Sequence, residues 1–212
     1  MASPPPVMPM LFATSNPHKI EEVAAILGPL GIDVVGLDSL DEVPPEPVED
    51  GTTFEENARL KAIYYARRTG RPCLADDSGL AVDFLGGAPG VRSARYGGAG
   101  STRRERDRAN NEKLLSELSP VPSRLRGARF ICAMCLADAD ARILAEARGT
   151  LEGVIAHRPA GKNGFGYDPL LYLPDERRTS AQLTPAEKTA RSHRGVAARA
   201  LVEALRDIGG GA

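Results

Sequence analysis

Apolar positions recur along the chain at helical spacing in some stretches and as short continuous runs in others, and the changes between the two mark out its elements. Met10 to Thr14 is a short apolar run that stops at Ser15, Asn16 and Pro17. Ile20, Val23, Ile26, Leu27 and Leu30 then follow at helical spacing up to Gly31, which predicts strand, loop, helix. Asp33 to Gly36 predicts a second short strand. The stretch from there to Gly51 holds Pro44, Pro45 and Pro47 among Asp38, Asp41, Glu42, Glu46, Glu49 and Asp50, so no regular element is expected in it.

Three capping boxes mark helix starts. Thr53 with Glu56 opens a helix to about Arg68, ended by Gly70, and Thr102 with Glu105 opens another to Leu118. Thr184 with Glu187, with Pro185 at the first helical position, opens a C-terminal helical stretch expected to break or bend near Ser192 to Gly195. Between them, Leu74 to Asp76 predicts a strand ending in acid, with Ser78 and Gly79 turning the chain beyond it. Arg129 to Ala137 and Ile143 to Leu151, joined across Asp138 to Asp140, predict a hairpin. Gly86 to Gly90, Gly97 to Gly100 and Gly161 to Asp168 are glycine-rich loops, the last leading into the apolar Pro169 to Leu173. Early alternation of strand and helix with a late hairpin places the chain in the α/β class with a mixed sheet.

Composition narrows the function classes. The 212 residues carry 27 Lys and Arg against 28 Asp and Glu, a net charge of -1, which excludes a polycation that holds nucleic acid by bulk electrostatics. Ile131 to Ala137, the longest apolar run, is far below the roughly 18 residues of a membrane span. Residues 1–9 are proline-rich with no basic segment, and read as a disordered extension ahead of a single domain over residues 10–208 in a cytoplasmic protein. Cys73, Cys132 and Cys135 are too few and too odd in number for a disulfide framework. Cys132 and Cys135 spell a CxxC, but on a strand residues three apart face opposite sides, so all three are expected as core cysteines.

Four strings could carry chemistry. Thr14, Ser15, Asn16, Pro17, His18 and Lys19 lie between a strand and a helix start, where exposed amides, hydroxyls and a lysine suit a phosphate group. An Asn-Pro turn that merely caps the helix accounts for the same residues, and no Walker loop occurs in the chain. Glu49 and the pair Asp76 and Asp77, followed by Ser78, are carboxylates that would repel one another unless a cation sat among them, and hard oxygen ligands favour Mg2+. Alternation on a strand lets only one of Asp76 and Asp77 reach the ion; a solvent-facing turn is the competing account. Phe165 lies among glycines with Gly166, Tyr167 and Asp168, a stacking surface with an acid able to accept from ring N–H groups, or else an ordinary glycine loop. Lys188, with Ser192, His193 and Arg194 at the helix bend, offers donors to keto oxygens of a base, or is a solvated basic face. Arg103, Arg104, Arg106 and Arg108, interleaved with Glu105 and Asp107, are read as solvated.

Taken together these strings resemble the inosine/xanthosine triphosphate pyrophosphatase family. The resemblance runs from Leu11 to about Leu205 and rests on six ordered segments: Ala13 to Asn16 with Lys19; Gly51 to Ala58 with Lys61 and Ala62; Ala75 to Leu80; Gly86 to Gly90 with Ser93 to Tyr96; Gly164 to Pro169; and Leu183 to Lys188 with Ser192 to Gly195. Ser15, Gln182 and Arg191 depart from what is usual there.

The resemblance implies a two-lobed α/β fold around a long mixed sheet flanked by helices, with the active site in the cleft between lobes, and a homodimer. It implies Mg2+-dependent hydrolysis of ITP, dITP and XTP to the monophosphate and pyrophosphate, with a small-molecule nucleotide rather than nucleic acid or membrane as partner. By position, Asp77 is implied as general base, Glu49 and Asp77 as metal ligands, and Thr14 to Lys19 as the phosphate loop with Lys61 and Ser78 beside it. Phe165, Gly166, Tyr167, Asp168, Lys188, His193 and Arg194 are implied as nucleotide-binding, the last two reading the 6-oxygen. A pyrophosphatase for pyrimidine or methylated nucleotides, and a nucleic-acid-binding module using the Arg103 to Arg108 helix, are the competing accounts.

Overall fold

The computed structural model describes residues 9–98 and 100–209. The extension expected over residues 1–9 lies, apart from Pro9, outside the described residues, as does Ala99 of the Gly97 to Gly100 loop. Seven strands form one mixed sheet: β1 (Met10–Phe12), β2 (Val34–Val35), β3 (Cys73–Val82), β4 (Gly127–Ala137), β5 (Ile143–Ile155), β6 (Leu171–Leu173) and β7 (Arg178–Thr179), in the order β2-β1-β3-β4-β5-β6-β7. β1 pairs in parallel with β2 and β3, and every later pairing is antiparallel. This is the mixed α/β sheet that the pattern predicts.

The helices are α1 (Pro17–Leu27), α2 (Phe54–Thr69), α3 (Arg103–Glu117), α4 (Pro185–Arg191) and α5 (His193–Gly209). All three predicted capping boxes are formed, and Gly70 ends α2 in the left-handed region at φ 66°. A fourth box joins Thr179 and Gln182, ahead of a short 3-10 helix. The C-terminal helical stretch breaks at Ser192, which is extended between α4 and α5.

The long strands alternate between two cores. Ala75, Ile131, Ala133 and Cys135 pack under α2, whereas Leu74, Cys132, Met134 and Leu136 pack under α1 and α5. Cys132 and Cys135 thus lie on opposite faces, and all three cysteines are free and buried. A third core at the other end of β3 and β4 joins Leu80, Val82, Phe130 and Tyr167 to Leu114 of α3 and to Leu118 just after it. The two ends of the sheet therefore carry separate helical layers, and the strand segment between them is left to line a cleft. Among the described residues no helix is long and apolar enough to cross a membrane.

Candidate active site

The cleft exists because β1 is short. Phe12 is its last residue, and it contacts β3 only at Cys73 and Leu74. From Asp76 to Gly79, β3 is paired with β4 alone, and no strand lies along its other edge. The expectation that the strand ends in its acid pair is corrected here: β3 runs straight on through Ser78 and Gly79. Pairing with β4 holds the far half extended, and Gly79 gives room for the 3-10 helix Gly90–Arg95. A Cβ at Gly79 would clash with Ser93 Oγ, the oxygen that accepts from the Leu80 N–H at 2.9 Å.

Alternation sends the two aspartates to different partners. Asp76 points toward α1 and α5, where it is almost fully buried. It accepts from Lys19 Nζ at 2.8 Å and from Nε and Nη2 of Arg194, each at 3.0 Å. Burial alone would raise its pKa, but Lys19 and Arg194 hold it far below the usual carboxylate range. Arg194 also donates to Ser78 Oγ at 2.7 Å and to Glu22 at 2.6 Å, and Glu22 in turn pairs with Lys188 at 3.1 Å. Lys188 closes the series on Asp168 at 2.7 Å. Six groups of alternating sign, Lys19, Asp76, Arg194, Glu22, Lys188 and Asp168, thereby tie α1, β3, α5, α4 and the Phe165 loop into one buried network.

Asp77 points the other way, toward α2. Its Oδ2 accepts from Asn57 Nδ2 at 3.0 Å, and Lys61 Nζ lies 3.5 Å from Oδ1. The same Lys61 Nζ donates to Glu49 at 3.3 Å, so one ammonium stands between two carboxylates. Burial, and after it the Glu49 charge, outweigh Lys61 and Asn57 and raise the Asp77 pKa above its ordinary value. Burial pulls the Lys61 pKa down, but Asp77, Asp76 and Glu49 overcome it and leave the pKa raised. Lys19, by contrast, is lowered: burial outweighs the attraction of Asp76.

The first loop follows its predicted local chemistry. Asn16 caps α1 by accepting from the His18 N–H, and Thr14 Oγ1 accepts from the Asn16 N–H at 3.1 Å. Pro17 takes the first helical position, where a missing N–H costs nothing. Ser15, Pro17 and His18 are exposed at the cleft mouth.

The loop holding Phe165 departs from expectation in where its acid points. Asp168 is turned inward, accepting from the Phe165 N–H at 2.8 Å, Ser180 Oγ at 2.7 Å and Lys188. It holds the loop in shape instead of facing an open ring-binding surface, because a buried carboxylate needs its oxygens satisfied. Tyr167 is core, its hydroxyl donating to the Ser93 carbonyl at 2.9 Å. Phe165 is half-buried. It stacks on His18 with ring centroids 5.7 Å apart and separates a cavity of 210 Å³, beside Glu22 and Lys188, from one of 340 Å³ that contains Glu49, Lys61 and Asp77.

His193 and Arg194 are both buried at the helix break, which excludes the solvated basic face. His193 stacks on Phe130 at 4.9 Å, and burial holds its pKa well below that of a free imidazole. Its Nδ1 is buried without a hydrogen-bond partner among the described residues. Lys188, too, is buried rather than part of a solvated face.

Sequence reasoning missed two parts of the site. Glu22 lies one turn after Lys19, so its spacing alone put it on the same face of α1. On α3 the arginines Arg103, Arg104, Arg106 and Arg108 are exposed, as read, but residues among and after them dock the helix on the Phe165 loop. Asp107 accepts from the Gly166 N–H and Asn111 donates to the Gly166 carbonyl, both at 3.0 Å, and the Arg103 guanidinium lies 4.6 Å from the Phe165 ring centre.

Comparison with known proteins identifies the family and the fold. The sequence profile of the Ham1 family matches residues 10–204. A protein of Yersinia pseudotuberculosis named dITP/XTP pyrophosphatase is 48% identical over 199 residues, covering 93% of this chain and 98% of the relative. The structure of a HAM1 protein from Coxiella burnetii superposes with a TM-score of 0.83 at 39% identity, over 95% of this chain and all of that one. A nucleoside-triphosphatase / dITP/XTP pyrophosphatase from Mycobacterium abscessus does so with a TM-score of 0.73 at 43% identity, over 93% and 99%. With a profile that spans nearly all the described residues and a relative this similar over both full lengths, the chain belongs to the Ham1 family.

Proposed function

We infer that this chain, through a catalytic domain over residues 10–208, hydrolyses deaminated purine nucleoside triphosphates, ITP, dITP and XTP, to the monophosphate and pyrophosphate. Such an activity removes them from the cytoplasmic nucleotide pool before they enter DNA or RNA. The observation that carries this reading is the placement of Glu49 and Asp77, sharing Lys61, in the same cleft as the Phe165 ring. The names of the Yersinia and Mycobacterium relatives support it.

The donor set fits Mg2+. Among the described residues no cluster of three or more potential ligands occurs, and magnesium is ordinarily held by one or two carboxylates with substrate phosphates and water completing its shell. Glu49 and Asp77 are the two carboxylates that would hold it. When bound, the ion neutralises phosphate charge and lowers the cost of the attack.

This chain's own residues do the rest. Asp77, fixed by Asn57, is placed to take the proton of a water attacking the α-phosphorus. The Thr14 to Lys19 loop and Lys61 hold the phosphates, and Phe165 offers a ring face to the purine. His193, whose buried Nδ1 lacks a hydrogen-bond partner among the described residues, is assigned with Arg194 and Lys188 to the polar edge of the base. As the resemblance implies, the working unit is a homodimer.

The test is pyrophosphate release from ITP, XTP, dITP, ATP and GTP, with a methylated and a pyrimidine nucleotide added, each with and without Mg2+. A pocket matched to a 6-keto group leaves a buried donor facing the 6-amino group of ATP. ITP should therefore exceed ATP by at least ~10²-fold in kcat/KM, a few kcal/mol. Equal turnover of ATP, or release of orthophosphate, overturns the reading.

A further inference from the structure

The triphosphate cleft has a cationic wall that the phosphate loop does not supply. Lys19 and Lys61 are each already within reach of carboxylates, Lys19 with Asp76 and Lys61 with Glu49 and Asp77. A nucleoside triphosphate adds further negative charge beside those acids, and one divalent ion offsets only part of it.

Across the same 340 Å³ cavity, three arginines line the other wall: Arg95, from the 3-10 helix Gly90–Arg95, and Arg103 and Arg106 from the first turns of α3. None of the three has a carboxylate within ion-pair distance among the described residues. The acids interleaved with them are committed elsewhere. Glu105 closes the capping box with Ser101 and Thr102, and Asp107 accepts from the Gly166 N–H. Arg106 makes only long contacts, 3.3 Å and 3.5 Å, to the carbonyls of Gly100 and Ser101.

Position on the helix sorts these arginines from their neighbours. Residues 103, 106, 107 and 110 form one stripe at helical spacing, and all four line the cavity. Arg108 lies off that stripe and pairs with Glu112 at 2.7 Å in solvent. Partial burial lowers the Arg103 pKa, and the charges of Arg194 and Arg106 add to the lowering against Asp107.

We propose that Arg95, Arg103 and Arg106 bind the two terminal phosphates of the substrate and so form the subsite for the leaving pyrophosphate. This deepens the pyrophosphatase reading and rests on it. Arginine suits the task because its planar fork can grip two oxygens of one phosphate, and charge growing on the leaving group strengthens that grip. Arg103, also stacked on Phe165, spans from the base shelf to the phosphates.

The test is product inhibition, with pyrophosphate binding at equilibrium measured by calorimetry in Mg2+. Arg106→Ala, Arg95→Ala, their double variant and Arg103→Ala are compared with Arg108→Ala, which removes a charge from the same helix outside the cavity. Each of the first two should weaken pyrophosphate inhibition and raise the KM for XTP by about tenfold, and the double variant by about 100-fold, since each loses charge-assisted hydrogen bonds. Inhibition by the nucleoside monophosphate should stay within about twofold, and Arg108→Ala should match wild type. Where alanine lowers the melting temperature, Arg106→Gln replaces it.

Unchanged pyrophosphate binding in the double variant overturns the proposal. Equal loss of monophosphate and pyrophosphate binding does so too, by moving the arginines to the sugar or α-phosphate. A wild-type protein that binds pyrophosphate through these arginines yet does not hydrolyse XTP overturns the pyrophosphatase reading and leaves the anion subsite standing.

Discussion

On one face of β3, Asp76 is enclosed by Lys19 and Arg194; on the other, Asp77 shares a single lysine with Glu49. The two aspartates are adjacent in sequence, and each loses water on folding. Their pKa values nevertheless move in opposite directions, down for Asp76 and up for Asp77. The difference lies in the count of partners. Asp76 belongs to a network in which every charge meets its opposite, and that network joins five elements of the fold. Asp77 and Glu49 form an excess of negative charge that the fold tolerates and an incoming cation would relieve. On one face of the strand the charges are matched within the protein, and on the other an excess of negative charge is left for a cation.

The sharpest test of this contrast is to neutralise each acid with little change of shape. Asp77→Asn removes the base and one metal charge, and kcat should fall by about 10² to 10⁴-fold. Its melting temperature should stay level or rise slightly, because an ionised carboxylate with a raised pKa opposes folding at neutral pH. A variant keeping more than a tenth of wild-type activity removes Asp77 from the role assigned to it.

Asp76→Asn should do the reverse to stability. It leaves Lys19 and Arg194 buried with half their partner gone, a change of about 3 to 5 kcal/mol for a broken buried pair. The pH dependence follows from the sign of the shift. The folded pKa of Asp76 lies below its unfolded value near ~4, so its contribution is complete above that pH and is lost as the pH falls further. Thermal melts between pH 7 and pH 2 should show wild-type stability dropping below about pH 4, and Asp76→Asn should flatten that drop. Parallel curves for the two proteins would show that Lys19 and Arg194 do not stabilise the fold through this carboxylate.

The smallest expected effect is that of Glu49→Gln. It should raise the Mg2+ concentration needed for half-maximal activity about tenfold, the low end for a weakened metal site, while nucleotide binding measured without turnover barely changes. Equal activity at limiting Mg2+ would assign Glu49 to Lys61 alone.

Local signals carried far in this sequence where they concern the chain's own next few residues. The Thr-x-x-Glu boxes at Thr53, Thr102 and Thr184 each start a helix, and the break at Ser192 falls where the pattern places it. What stayed illegible depends on partners distant along the chain. Ser78 and Gly79 carry the composition of a turn, yet pairing with Cys132 and Ile131 keeps them in a strand. The arginines of α3 looked balanced by Glu105 and Asp107. No local rule says that one of those acids will cap its own helix and the other will hold a glycine 59 residues away. Gln182, unusual for the resemblance, still serves a box by accepting from the Thr179 N–H at 2.9 Å. His193 and Arg194 illustrate the same limit, since their motif is plain but their burial is a property of the assembled core.

The early end of β1 has a consequence for how the protein survives in a crowded cell. An unpaired strand edge is a template on which another chain can add a strand, the first step toward aggregation. From Asp76 to Ser78 such an edge has no strand beside it, in the middle of the sheet rather than at its border. Its neighbours are carboxylates, lysines and arginines, whose hydration an invading strand would have to strip away. The charges that line the cleft thus also guard the gap in the sheet. Neutralising several of them at once should leave a protein that is folded but less soluble.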